Sequence, residues 1–133
     1  MKHLLDTHVA IWWLLDDKRL PRAHRRVLDH TDKAGGSVAL SAISLWEIAK
    51  LVERGRLRLA VAIDECLTQI ESSPFFDILP LTARIACEST RLGEGFPRDP
   101  TDQLIAATAR CHGLVLLTAD ERIVESGVVA VLG

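Results

Sequence analysis

Five short apolar runs, each separated from the next by one or more helical stretches, constrain what this chain can fold into more than any other feature. The runs fall at residues 2–5, 37–40, 77–80, 114–117 and 128–131. They are rich in Val, Leu and Ile and lack clean polar alternation, which is how strands covered on both faces read. Helical spacing recurs at 8–15, where Val9, Trp12 and Trp13 share a face, at 21–30, opened by Pro21, and at 45–54, which carries Leu45, Ile48, Ala49 and Val52. Further helices are predicted at 61–70, 83–92 and 100–111, the last ending before Gly113 as a left-handed terminator, with a short one at 120–126. Strands alternating with helices predict an α/β fold of three layers, α/β/α, around a mainly parallel central sheet of about five strands. No linker, repeat or low-complexity segment divides the sequence, so residues 1–133 read as one domain.

Of these residues 48% are hydrophobic and 26% charged, ordinary for a soluble globular protein. A net charge of −2 does not suggest a nucleic-acid substrate; such a substrate would have to rest on a bound metal and local basic patches. Cys66, Cys87 and Cys111 are odd in number and lack C-x-x-C spacing. That argues against a disulfide framework or zinc knuckle, and for buried free thiols in a reducing cytoplasm. His3 and His8 do not have the i, i+4 spacing of a zinc-binding helix. No export signal is visible, and the longest apolar run, 9–15, is too short to cross a bilayer.

The acids are placed selectively. Asp6 follows the first run, in Leu4-Leu5-Asp6-Thr7, and Glu47 comes soon after the second, in Ser44-Leu45-Trp46-Glu47. Asp99 and Asp102 open the helix at 100–111, and Asp120 follows the fourth run, in Leu117-Thr118-Ala119-Asp120. In a parallel sheet the strand ends open onto one edge, where ligands bind. Asp6 and Asp120 are therefore expected to meet there, with Glu47 and Asp102 reaching the same crevice from helix first turns. Capping is the plain alternative: Ser44-x-x-Glu47 and Thr118-x-x-Glu121 read as capping boxes, and Asp99 before Pro100 as an N-cap. These caps leave Asp6 and Asp120 without a structural task. Two carboxylates about 4 Å apart repel by roughly 4 kcal/mol at an effective dielectric of 20, so four together ask for a cation. No Lys or Arg falls directly beside Asp6, Glu47 or Asp120 to relieve this. Oxygen-only ligation suits Mg²⁺ or Mn²⁺ rather than zinc.

Four segments carry a resemblance: Leu4-Leu5-Asp6-Thr7-His8, Ser41-x-x-Ser44-x-Trp46-Glu47-Ile48, Asp99-Pro100-x-Asp102-x-Leu104-Ile105-Ala106-Ala107 and Leu117-Thr118-Ala119-Asp120. In their order and placement the chain resembles the PIN-domain family and, within it, the VapC toxins of bacterial toxin–antitoxin pairs. The resemblance runs from residue 4 to 120, nearly the whole chain. It implies a Mg²⁺- or Mn²⁺-dependent ribonuclease that hydrolyses RNA phosphodiesters to 5′-phosphate and 3′-hydroxyl ends. It places the family's acids on Asp6, Glu47, Asp102 and Asp120, with none missing. Asp6, Asp102 and Asp120 are the expected direct or water-mediated metal ligands, and Glu47 ligates or orients the attacking water. Thr118 and Thr7 are expected to support the acids, and Asp99 to cap its helix. The resemblance further implies a central first strand, a cytoplasmic homodimer and a VapB-like antitoxin. Trp12, Trp13, Leu45 and Trp46 would receive an amphipathic antitoxin segment, and an antitoxin Arg would pair with the carboxylates and displace the metal.

Candidate RNA contacts are Arg22, Arg25 and Arg26, which crowd the second helix with Lys18 and Arg19, and Arg54, which precedes Arg56 and Arg58. Such cations are solvated faces unless they meet phosphates. With no Tyr, three Phe and three Trp, a stacking platform for bases is not expected, and the tryptophans read as core. Three rivals fit less well. A receiver-type Mg²⁺ switch needs a Lys after a late strand, and Lys2, Lys18, Lys33 and Lys50 all lie earlier; a haloacid-dehalogenase-like phosphatase needs a second Asp where His8 stands. A binding-only PIN module would show a lost acid. A housekeeping RNA-processing nuclease is the alternative to a toxin.

Overall fold

The computed structural model describes residues 2–133 and contains five parallel strands in the order β3-β2-β1-β4-β5. They are β1 His3–Leu5, β2 Val38–Ser41, β3 Phe76–Leu79, β4 Val115–Leu117 and β5 Val131–Leu132. The helices are α1 Thr7–Leu14, α2 Arg22–Lys33, α3 Ala42–Glu53, α4 Ile63–Ser72, α5 Ala83–Glu88, α6 Pro100–His112 and α7 Glu121–Ser126. The expected three layers are present. Leu5, Leu40 and Leu117 face one way and pack with Val9, Leu28, Ile48 and Ile70 of α1 to α4. Leu4, Ala39 and Leu116 face the other way and pack with Ile105, Ala106, Ala109 and Ile123 of α6 and α7. Removing apolar surface from water on both faces, at about 25 cal/mol per Å², is what holds the sheet between the layers.

The first strand is central, as expected. From β1 the chain winds outward to β2 and β3, then returns to β4 on the other side of β1 and continues to β5. The winding therefore reverses between β1 and β4, the place where an open α/β sheet leaves a crevice beyond its strand ends. Leu5 pairs with Leu117, and the Asp6 N–H continues the ladder to the Leu117 carbonyl at 2.9 Å. This backbone bond fixes where both strands deliver their next residues.

Several local expectations are corrected. Helix α3 begins three residues early because Ser41, not Ser44, is its N-cap and accepts the Ile43 N–H. Ser44 lies inside the helix and shares a hydrogen bond with the Thr7 hydroxyl at 2.8 Å. Glu47 is thus more than a turn into α3 and closes no capping box. At α7 the cap is Asp120, whose carboxylate accepts the Arg122 N–H, and Asp6 likewise caps α1 through the Thr7 N–H at 2.8 Å. Both acids have the capping task the sequence reading denied them. The last strand sits at 131–132 rather than 128–131: Gly127 ends α7 at φ 65°, and Val129 then drops into the core before pairing begins. Helix α5 stops at Glu88, short of the predicted 92. The left-handed turn at Gly113 is present, at φ 65°.

The first helix is not surrounded by protein. Its start is buried, but Leu14 and Leu15 are 43% and 44% exposed. They line an apolar groove of about 360 Å³ with Ile11, Leu57, Val61 and Ile70. Trp46 is half exposed rather than core, while Trp13 stacks on Phe75 at 5.7 Å between ring centroids. The thiols are free but not buried: Cys87 is exposed, and Cys66 and Cys111 are partly covered. His24 is fully buried and its Nε2–H donates to the Leu132 carbonyl at 2.6 Å, which ties α2 to the end of β5.

Candidate active site

Asp6, Glu47, Asp102 and Asp120 line one cleft of about 300 Å³, together with Asp99, His8, Trp12, Ala119 and Arg122. The reversal of the sheet between β1 and β4 makes this cleft. Asp6 follows β1 and Asp120 follows β4, while α3 and α6 bring Glu47 and Asp102 to its flank.

Asp6 is the most enclosed of the four, with 7% of its surface exposed. Its two oxygens are held separately: Oδ1 accepts the Thr7 N–H, and Oδ2 accepts the Thr118 hydroxyl at 2.8 Å. The same Thr118 oxygen accepts the Asp120 N–H at 3.1 Å, so one buried hydroxyl links the two strand-end acids. Burial pushes the Asp6 carboxyl up, against the pull of the Thr118 bond and the nearby His8 charge. Glu47 is also raised, first by burial, with the charges of Asp6 and Asp99 adding to it. Thr7 acts from beneath, bonded to Ser44 and pulling the Glu47 carboxyl back down.

Asp102 shows the mutual repulsion most clearly. Burial first, then the charges of Asp6, Asp99, Asp120 and Glu47, push its carboxyl up to about 7. Asp99 has the predicted structural role: its Oδ1 caps α6 by accepting the Thr101 N–H at 2.8 Å.

Asp120 departs from expectation. Arg122, two residues on, forms a fork with it: Nε donates to Oδ1 at 3.2 Å and Nη2 to Oδ2 at 2.9 Å. That fork holds the Asp120 carboxyl below its usual range, opposite to the other three acids. Arg122 carries no site signal in the sequence, because it stands two positions after Asp120 rather than directly beside it. On the first turn of a helix opened by an N-cap, the side chain two residues on can fold back over the cap. His8 is the second missed lining residue, two positions after Asp6 in the equivalent turn of α1.

Among the described residues, no three side chains of His, Cys, Asp or Glu stand close enough to enclose a metal ion as they are. The donor set still fits a hard divalent cation. It is all carboxylate, one member is buried and fixed by two hydrogen bonds, and the members raise one another's proton affinity. Asp6, Asp102 and Asp120 would hold such an ion, with Asp120 shared with Arg122 in the present arrangement.

The four candidate RNA contacts do not form one patch. Arg25 is paired with Asp16 at 2.8 Å. Arg26 lines a basic pocket with Lys2, His3 and His30 at the strand-start edge, away from the acids. Arg22 is exposed at the first position of α2. Only Arg54 lines a cleft that shares residues with the acid site: Glu47 and Asp99, alongside Trp46 and Lys50. The expected antitoxin seat is divided too, with Trp12 in the acid cleft, Trp46 in the Arg54 cleft and Trp13 against Phe75.

Comparisons with known proteins agree on one family. The PIN domain model matches residues 3–127. Over 120 residues the chain is 38% identical to Ribonuclease VapC22 of Mycobacterium tuberculosis, covering 90% of this chain and 88% of the relative. Among solved structures it is similar to a toxin–antitoxin complex from Klebsiella pneumoniae, with 25% identity, TM-score 0.66, and 99% and 97% of the two chains covered. VapBC2 from Rickettsia felis, bound to a DNA fragment from its promoter, matches at 18% identity and TM-score 0.72 over 99% and 98% of the chains, a likeness of fold.

Proposed function

The chain belongs to the PIN domain family, and from that premise we propose that it is a divalent-metal-dependent ribonuclease, the toxin of a toxin–antitoxin pair, acting through Asp6, Glu47, Asp102 and Asp120. The observation that carries the reading is the gathering of four carboxylates in one cleft where the sheet reverses, with Asp102 raised to about 7 by burial first and then by the charges of its neighbours. The ribonuclease name of the Mycobacterium relative supports the activity, and the toxin–antitoxin complex from Klebsiella supports the partner. The cofactor is Mg²⁺ or Mn²⁺, the site of action the cytoplasm, and residues 1–133 a single PIN-like domain. Among the described residues no helix is long and apolar enough to cross a membrane.

When bound, a divalent cation supplies positive charge at the transferring phosphate and lowers the pKa of water. The protein's own groups do the rest. Thr7 and Thr118 hold both oxygens of Asp6, so this carboxylate needs little reorganisation to ligate. Glu47, half-buried and raised, accepts a proton from the attacking water or orients it. No His is required as the base.

The antitoxin is read as VapB-like. The groove lined by Ile11, Leu14, Leu15 and Val61 suits the apolar face of an amphipathic segment, and the acid cleft suits an arginine. The test is digestion of total RNA with and without Mg²⁺, with the cut ends mapped. Mg²⁺-dependent cuts bearing 5′-phosphates are expected; cuts made equally well in EDTA would refute the reading.

A further inference from the structure

Among the described residues, Arg122 is the one cation that both lines the acid cleft and forks a carboxylate of it, its guanidinium donating to both oxygens of Asp120. Arg19 forks Asp17 in the same way but does not line that cleft. The Arg122 side chain is nonetheless 69% exposed, so solvent and a substrate can reach it. It lines the acid cleft and also a second cleft of about 340 Å³ formed by Gly95, Phe96, Pro97, Arg98, Glu125 and Ser126. It therefore stands on the wall between the acids and a surface where Arg98 offers a second positive charge. The fork and the Arg122 N–H take both lone pairs of Asp120 Oδ1 and one of Oδ2, so the carboxylate has one acceptor position left for a metal while the fork is closed. Its backbone neighbours do not need the fork: the Asp120 carboxylate still caps α7 by accepting the Arg122 N–H at 2.9 Å.

We propose that Arg122 is an internal competitor for the cation site and a positioning residue for the substrate: its fork weakens Asp120 as a ligand, and on opening it turns to the substrate phosphate beside Arg98. The proposal rests on the metal-dependent reading above. Its physical basis is an exchange of partners. Opening the fork frees Arg122 for another anion, and in the adjoining cleft an RNA phosphate, drawn also by Arg98, competes with Glu125 for it. An exposed ion pair is worth little, which makes the exchange easy and reversible. Binding of metal and binding of RNA are thereby coupled, each favouring the arrangement the other needs. The free protein holds its metal weakly; the RNA-bound protein holds it better.

The test uses the whole chain and three proteins: wild type, Arg122→Gln and Arg122→Lys. Mn²⁺ affinity is measured by calorimetry without RNA. Both variants are expected to bind Mn²⁺ about three- to tenfold more tightly, because a lysine keeps the charge but not the fork. With Mn²⁺ saturating, Arg122→Gln is expected to raise KM for a mixed-sequence single-stranded RNA more than it lowers kcat. It should also reduce the salt slope of RNA binding by about one. If only Arg122→Gln binds Mn²⁺ more tightly, while Arg122→Lys matches wild type, the effect is one of charge and the gate is refuted. Unchanged affinity in both variants refutes it as well, and so does an unchanged KM. If no protein of the three binds Mn²⁺, the metal-site reading itself fails, and the gate falls with it.

Discussion

Asp6 is a buried carboxylate whose two oxygens each accept one hydrogen bond, and that arrangement sets what a substitution does. Asp6→Asn removes a buried charge among like charges but keeps an oxygen for the Thr7 N–H. The expected result is loss of RNA cleavage with an intact fold and a melting temperature equal to or above wild type in metal-free buffer, read by circular dichroism in EDTA. A large fall in melting temperature would show that the charge is structural. Asp102 gives a pH signature. Its carboxyl lies near 7 in the folded chain and near 3.8 in the unfolded one. The folded state therefore holds the proton longer, and in EDTA this group's contribution to stability is lost as pH rises from about 4 through 7. Each unit is worth about 1.4 kcal/mol before solvent screening, which at this part-exposed carboxyl leaves a change on the order of 1 kcal/mol. His24, lowered by burial, works the other way, costing stability as pH falls below the usual histidine range. Urea unfolding of wild type and Asp102→Asn across this window isolates the first effect: the difference between them should grow with pH. A constant difference would contradict it. The positions of all four acids were legible in the sequence, because strand ends of a parallel sheet share an edge. Arg122 was not, because a side chain folding back on its own helix cap leaves no periodic trace.

At the level of elements, the sequence was most readable where apolar spacing alone decides. All five strands and seven helices were expected, and the long α6 begins at Pro100 as predicted and extends one residue past its predicted end at 111. It was least readable where two hydroxyls compete for one cap. Ser41 and Ser44 both precede the apolar face of α3; the strand ends at Ser41, so the chain turns there and Ser44 is left to bond Thr7. Ser41→Ala should therefore cost about 1 kcal/mol of stability, measured by denaturant unfolding. No loss would return the cap to Ser44 and put Glu47 back in a capping box. The last strand was misplaced for a similar reason. Val128 and Val129 are as apolar as Val131, but the left-handed turn at Gly127 spends them on closing the core.

The whole molecule combines a negative cleft, an exposed apolar groove beside α1 and a half-exposed Trp46, a surface suited to being covered. A homodimer is expected, and sedimentation at micromolar concentration should give twice the chain mass of 14.7 kDa; a clean monomer would count against it. Expression with its neighbouring genes should bring down a small protein that blocks cleavage, and a Leu14→Asp, Leu15→Asp variant should lose it while still cutting RNA. The central claim is that four carboxylates from four separate segments form one metal-dependent cutting centre. Its most direct measurement is the initial rate of RNA cleavage against Mg²⁺ concentration for wild type, Asp6→Asn, Glu47→Gln, Asp102→Asn and Asp120→Asn. The account predicts a saturable Mg²⁺ dependence in wild type and a loss of at least about a hundredfold in each variant at saturating Mg²⁺, the scale set by removing one group that stabilises the reacting charge. Cleavage that needs no Mg²⁺, or that survives unchanged in any of the four variants, would contradict it.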